Sequence, residues 1–280
     1  MRASYFMPVD RIGKFMRGAA MNSQYGIQVF GITDPKVKDM LPPPLELADP
    51  ENPMFYAYIV NIREPTFSPW YMEGGVGVFA RYGDKVGIYF MGLQLSGPGA
   101  LMGAFSGREG SGLPKKLCER IVVERMDDWG RCFIERKGVR LIDVEVKIGE
   151  YNDPSLHFPQ EACAPGNPVT TDGACLLHRY RIGEDRFCDM ELIHYDSPTR
   201  FDSWEKATAT LKLCSSWDDP WGDIPLVRVL GAGWMVSDNW VRGLSTLYKY
   251  PPGEEIKTIR YLFAGRYDQC TICPSHQRYE

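Results

Sequence analysis

The segment Gly107-Arg108-Glu109-Gly110-Ser111-Gly112-Leu113-Pro114-Lys115-Lys116-Leu117 holds the densest set of reactive side chains in the sequence. Glycines and a proline surround charged residues there, between apolar Leu101–Phe105 and strand-like Ile121-Val122-Val123. Two adjacent lysines after a proline, at the mouth of a strand, are candidates for an amine nucleophile. A lysine attacks only when neutral, and its ordinary pKa of about 10.4 keeps it protonated at neutral pH. Burial in apolar surroundings disfavours the ammonium, and a neighbouring cation does the same. By itself a Lys-Lys pair is most often a solvated surface feature. If the pair lies on extended chain, its side chains point to opposite faces. Lys115 and Lys116 would then not share a site, and Lys116 would be structural.

Other chemistries find less support. Cys270, Cys273 and His276 form a C-x-x-C-x-x-H cluster that could supply three zinc ligands, where a structural site usually needs four. No second C-x-x-C pair exists, and incidental thiols are the plainer reading. His157, His178 and His194 are not spaced as a metal site. There is no G-x-S-x-G elbow and no P-loop. Lys plus Arg total 32 and Asp plus Glu 36, a net charge of −4 that argues against a nucleic-acid partner. No run of about 18 apolar residues suggests a membrane span, and Met1–Asp10 lacks the apolar core of a secretory signal. A cytoplasmic protein whose eight cysteines are free thiols is expected.

Strands must position the lysines. Ile142, Val144, Val146 and Ile148 alternate with Asp143, Glu145 and Lys147, the period of a strand with one apolar face. Ala209, Leu211 and Leu213 repeat the pattern. Residues 76–82 and 85–93 flank Gly83-Asp84, and 131–137 and 139–148 flank Gly138, both hairpin signals. Residues 55–62, 119–125, 187–195 and 226–236 also read as strands. Short helices are expected over 34–41, closed by Pro42-Pro43-Pro44, and over 99–105; residues 151–172 read as loop. No repeat of 20–50 residues and no alternation of strands with long helices is present. The pattern is mainly β (α+β), an antiparallel sandwich or barrel in one domain over 1–280, with a C-terminal tail from about 264.

Gly107-Arg108-Glu109 followed by Pro114-Lys115-Lys116 resembles the hallmark of the acetoacetate decarboxylase superfamily. Leu41–Glu46, Tyr71-Met72-Glu73, Ala209–Leu213, Asp219-Pro220, Asp223–Leu226 and Val229-Leu230 resemble its other segments. The resemblance implies an antiparallel cone-like β-barrel or double-layered sheet with a few short helices, usually in a homo-oligomer. It implies that Lys115 forms a Schiff base with a keto acid; the family is the standing example of a lysine activated by desolvation or a neighbouring cation. No cofactor or metal is needed, because the protonated imine is itself the electron sink. Glu73 is the implied proton carrier or positioning group, making Lys115, Glu73 and Lys116 the catalytic candidates. Arg108 and Glu109 are expected to brace the lysine loop as an ion pair.

Two positions depart from the family pattern. Gln24 stands where decarboxylating members carry an arginine for the substrate carboxylate, and Tyr58 where they carry a second glutamate. Arg63 is a candidate replacement cation. With Gln24 and Tyr58, the aromatic residues Trp70, Tyr71 and Trp234 suggest a larger, less charged pocket. β-Keto acid decarboxylation leads, as the commoner family activity. Aldol condensation with dehydration, joining a keto acid such as pyruvate to an aldehyde, runs through the same lysine. A non-catalytic small-molecule binding module is the alternative of another class.

Overall fold

The two hairpin signals and the period-two runs become the backbone of one large mixed sheet. The computed structural model describes residues 5–15, 18–164 and 166–269. In chain order its strands are β1 (Ala20–Thr33), β2 (Glu46–Leu47), β3 (Met54–Pro65), β4 (Tyr71–Tyr82), β5 (Lys85–Ser96), β6 (Lys115–Leu117), β7 (Arg120–Met126) and β8 (Trp129–Arg136). There follow β9 (Val139–Ile148), β10 (Val169–Thr171), β11 (Ala174–Ile182), β12 (Phe187–Asp196), β13 (Thr199–Leu213), β14 (Leu226–Trp240) and β15 (Gly243–Lys249). The helices are α1 (Val9–Phe15), α2 (Ala100–Ser111) and α3 (Glu255–Arg266), with 3-10 turns at Pro35–Met40, Pro159–Ala162 and Trp221–Asp223.

Strand order is β15-β12-β11-β5-β4-β3-β1-β14-β13-β9-β8-β7, with β2, β6 and β10 attached to β4, β5 and β13. The β4–β5 hairpin closes at Tyr82 and Lys85 around Gly83-Asp84. The β8–β9 hairpin turns through Lys137 and Gly138, both at positive φ (51° and 75°), as a two-residue turn matched to strand twist demands.

Two expectations change. The sheet is not closed into a barrel: β15 and β7 are its free ends. Strand β5 lies inside the sheet, and its edge away from β4 is shared. Leu93–Leu95 take β6 in parallel, and only Ile88 reaches β11, at Cys175. The sheet instead folds over itself, with β7 and β8 lying across β3 and β4, so the double-layered arrangement holds. The helix expected over 99–105 runs on to Ser111 and ends at Gly112, at φ 80°, so Gly107-Arg108-Glu109 is helical. A β-carbon at Gly112 would sit 2.1 Å from the His178 carbonyl oxygen, and no side chain fits there. The 151–172 segment contains a 3-10 turn and β10, and α3 was not foreseen.

The central strands are buried on both faces, which explains their nearly continuous apolar runs. On β3, Phe55, Ala57 and Ile59 face the core between the layers, where they join Ile134, Leu141, Ile142 and Val144. Tyr56, Val60 and Ile62 face the opposite side with Phe90, Leu93 and Tyr195. That second side holds a cavity. Among the described residues, no helix is long and apolar enough to cross a membrane.

Candidate active site

Strand parity and register assemble the site. Tyr58 on β3 pairs with Gly75 on β4, which pairs with Leu93 on β5, which pairs with Lys115 on β6. Residues aligned this way project to one face, and Glu73, two positions before Gly75, projects to the same face. Gly75 carries no side chain, and the Leu93 side chain fills that space: a β-carbon there would lie 2.2 Å from Leu93 Cδ2. Helix α2 passes over Lys115, and Gly107 makes the approach possible. A β-carbon at Gly107 would lie 2.8–2.9 Å from Lys115 Cδ, Cε and Nζ.

Lys115 Nζ lies 2.7 Å from Glu73 Oε2, and both side chains are nearly buried, 6% and 9% exposed. Glu73 Oε1 accepts a hydrogen bond from the Tyr58 hydroxyl. Among the described residues, the Lys115 ammonium is the one polar contact of Glu73 Oε2. The Tyr71 ring lies beside the amine, its centroid 6.0 Å from Nζ, and its buried hydroxyl has no hydrogen-bond partner among the described residues. Burial, reinforced by the Glu73 charge, pushes the Tyr58 and Tyr71 phenols well up, so both keep their protons. Burial likewise pushes the neighbouring Cys175 thiol up to about 12. A buried Lys–Glu pair is weak as a stabilising device, because desolvation offsets its attraction. Its presence beside a cavity marks the pair as a candidate functional site.

The cavity measures about 700 Å³. Its lining includes Gln24, Gln28, Tyr56, Tyr58, Glu73, Phe90, Lys115, Cys175, Tyr195 and Asn239. Among the described lining residues, Lys115 is the one cation and Glu73 the one carboxylate. Ile62, Phe67, Ile88, Leu113, Val241 and Leu244 make much of the remaining wall apolar.

The structure brings Lys115, Glu73, Tyr58, Tyr71 and Gln24 together and separates the other candidates. Lys116 faces the other way, as the parity argument anticipates. Its Nζ contacts Asp219 at 2.6 Å, Asp268 at 3.3 Å and the carbonyls of Asp218 and Ala264 at 2.9 Å. Arg136 joins that buried network at 2.7 Å from Asp219. Arg63 is five residues from Tyr58, hence on the opposite face; it donates to the Ser23 carbonyl and covers the Tyr25 ring. It is no substitute cation in the cavity. Trp70 lies half-exposed just ahead of β4, against Gly97, and Trp234 packs on Tyr25 between the layers. Neither lines the cavity. Arg108 pairs with the exposed Glu109 at 2.8 Å and reaches the carbonyls of Lys115 (3.4 Å) and Arg266 (3.2 Å). It therefore ties the lysine strand to α3 from outside the cavity. Cys270, Cys273 and His276 lie outside the described residues.

Several cavity residues escaped sequence reasoning: Gln28, Tyr56, Phe90, Cys175, Tyr195 and Asn239. Gln28 carried a signal, as a polar residue inside the apolar run Ile27–Phe30 at the parity of Gln24. The others converge through sheet order, which local patterns do not report.

Residues 6–251 match the family model described as acetoacetate decarboxylase (ADC). A Lactiplantibacillus plantarum protein named as a CLA biosynthesis isomerase is 32% identical over 284 residues, covering 99% of both chains. An acetoacetate decarboxylase structure from Legionella pneumophila has a TM-score of 0.67 at 13% identity, over 89% of this chain and 99% of that one. The enduracididine biosynthesis enzyme MppR, complexed with the condensation product of pyruvate and imidazole 4-carboxaldehyde, has a TM-score of 0.62 at 13% identity, over 84% and 90%. These structural likenesses speak to the fold alone. The match to the family model over most of the sequence and the full-length similarity establish that this chain belongs to the acetoacetate decarboxylase family.

Proposed function

We propose that this protein is a Schiff-base enzyme that moves a carbon–carbon double bond in a large, mostly apolar ketone. The observation that carries the reading is the buried Lys115–Glu73 pair, at 2.7 Å, on the floor of a mainly apolar cavity of about 700 Å³. Cavities of roughly 300–1,000 Å³ suit ligands of drug size, well above a four-carbon keto acid. The full-length relative named as an isomerase supports the same choice.

The chemistry balances with these residues alone. Glu73 takes one proton from the Lys115 ammonium, the freed amine adds to the ketone carbon, and a second proton passes from the nitrogen to the ketone oxygen to give a carbinolamine. Glu73 returns that proton to the departing hydroxyl, water leaves, and a protonated imine remains. The imine acidifies the adjacent CH2 group of a β,γ-unsaturated ketone. Glu73 removes a proton there, giving a dienamine, and returns it to the far carbon of the former double bond. Water then hydrolyses the conjugated imine and releases an α,β-unsaturated ketone. Decarboxylation of a β-keto acid, the leading expectation from sequence, uses the same imine. Its substrate carboxylate calls for a second cation beside Lys115, and the described cavity wall offers none.

The test is to supply a long-chain β,γ-unsaturated ketone and follow the ultraviolet absorbance of the conjugated enone, with acetoacetate assayed in parallel for CO2. Enone formation that is lost in Lys115→Met supports the reading. CO2 release without enone formation returns the protein to decarboxylation. Neither product, with ligand still bound, assigns it to the binding-module class.

A further inference from the structure

Among the described residues, Glu73 is the one hydrogen-bond partner of the Tyr58 hydroxyl. The Tyr58 ring is fixed by Tyr56 and Phe90, with centroids 6.0 and 5.7 Å away. Its hydroxyl donates to Glu73 Oε1, leaving Oε2 toward Lys115 Nζ. The other titratable groups around Glu73 are Tyr71 on its own strand, Cys175 on β11 and Tyr195 on β12. Among the described residues, none of these three donates a hydrogen bond to it. A carboxylate held by one charge contact alone rotates about its terminal bond; a charge-assisted hydrogen bond to the second oxygen stops that rotation.

We infer that Tyr58 is a positioning residue for the proton-transfer reaction: its hydroxyl fixes Glu73 so that Oε2 faces both the Lys115 amine and the substrate carbon. The inference rests on the proton-carrying role given to Glu73 above. No proton leaves Tyr58 in this role. The proton that moves passes from the substrate carbon to Glu73 and back, while the phenol remains a donor throughout.

Tyr58→Phe keeps the ring and its packing and removes only the hydroxyl. Misplacement of a catalytic group lowers turnover while binding persists, so kcat should fall about 10- to 100-fold with KM within about twofold. The imine on Lys115 should still be trapped by borohydride. An unchanged kcat, or a rise in KM with kcat intact, overturns the inference. The second measurement needs no turnover: the 13Cζ resonance of Tyr58, assigned by its loss in Tyr58→Phe. In the wild type, burial and the Glu73 charge should keep the phenol protonated where free tyrosine ionises, and in Glu73→Gln it should titrate at lower pH. A titration indifferent to Glu73→Gln overturns the contact itself. The kcat and KM comparison is read on whichever reaction the wild type performs, enone formation or CO2 release. A wrong choice between those two therefore leaves the test of Tyr58 intact, and a wild type that performs neither overturns both proposals.

Discussion

Replacing Lys116 with methionine separates the two lysines in one experiment. Lys116 Nζ sits between Asp219 (2.6 Å) and Asp268 (3.3 Å), with two carbonyl acceptors at 2.9 Å, and its side chain is 5% exposed. Removing one partner from a buried ionic cluster typically costs about 3–5 kcal/mol, because the remaining charge is left without compensation. Here Arg136 stays 2.7 Å from Asp219 and 2.8 Å from Asp268, so the low end, about 3 kcal/mol, is expected. At about 2–4 °C per kcal/mol for a chain of this order of size, Tm falls by roughly 6–12 °C. Methionine fills the volume of the lysine stem, and Lys115 points away from the change. Differential scanning calorimetry reads the stability, and intact mass after borohydride reduction, taken well below the new Tm, reads the chemistry. The expected pair of results is a lowered Tm and full labelling of Lys115. A folded variant with unchanged Tm and lost labelling would refute the reasoning, since Lys116 would then act on the amine and not on the framework.

Three further outcomes follow from the same geometry. Gly107→Ala places a methyl group 2.8–2.9 Å from the end of Lys115. Alanine favours the helix by up to about 1 kcal/mol, so urea unfolding should show stability within about 1 kcal/mol of wild type. Lys115 trapping should drop about tenfold or more, and unchanged trapping would mean that α2 does not set the amine's place. Glu73→Gln keeps the shape and removes the proton carrier, so turnover should fall about 100-fold or more; a wild-type rate would remove Glu73 from the mechanism. Burial, aided by Arg266, pulls the His178 imidazole down to about 3, against about 6.5 in the unfolded chain. The folded value is the lower one, so the unfolded state binds the extra proton and stability is lost as pH falls from 6.5 toward 3. Between pH 6.5 and 4.5 His178 contributes a loss of about 2 kcal/mol. Urea titrations of wild type and His178→Gln should therefore differ in pH slope; parallel slopes would contradict it.

Local rules carried the strands a long way. Gly83-Asp84 and Gly138 mark real hairpins, and alternation along 142–148 marks a strand whose inner residues Ile142, Val144 and Val146 are buried. The opposite facing of Lys115 and Lys116 needed only the two-residue period of an extended chain. The same rule, counted from Tyr58, would have removed Arg63 from the pocket. Trp70 and Trp234 look alike as residue types, but one lies outside the cavity and the other between the layers, which depends on tertiary packing. The open sheet was not legible either, because whether the end strands β15 and β7 meet is decided by long-range strand order. Nor was the continuation of α2 through Gly107 and Gly110: Gly107 is a poor helix former, and Lys115 packs where its side chain would be. Tyr195, Cys175 and Asn239 reach the cavity from strands β12, β11 and β14, brought together only by sheet order.

The central claim is that Lys115 becomes covalently bound to a ketone. Its most direct test is intact-mass spectrometry with peptide mapping after borohydride reduction, in the presence of a long-chain β,γ-unsaturated ketone and, separately, acetoacetate. The expected result is a mass increase equal to the reduced imine, mapped to the peptide carrying Lys115 and absent from Lys115→Met. An adduct that persists in Lys115→Met, or no adduct from either ketone while a Schiff-base control enzyme is labelled, would contradict the account.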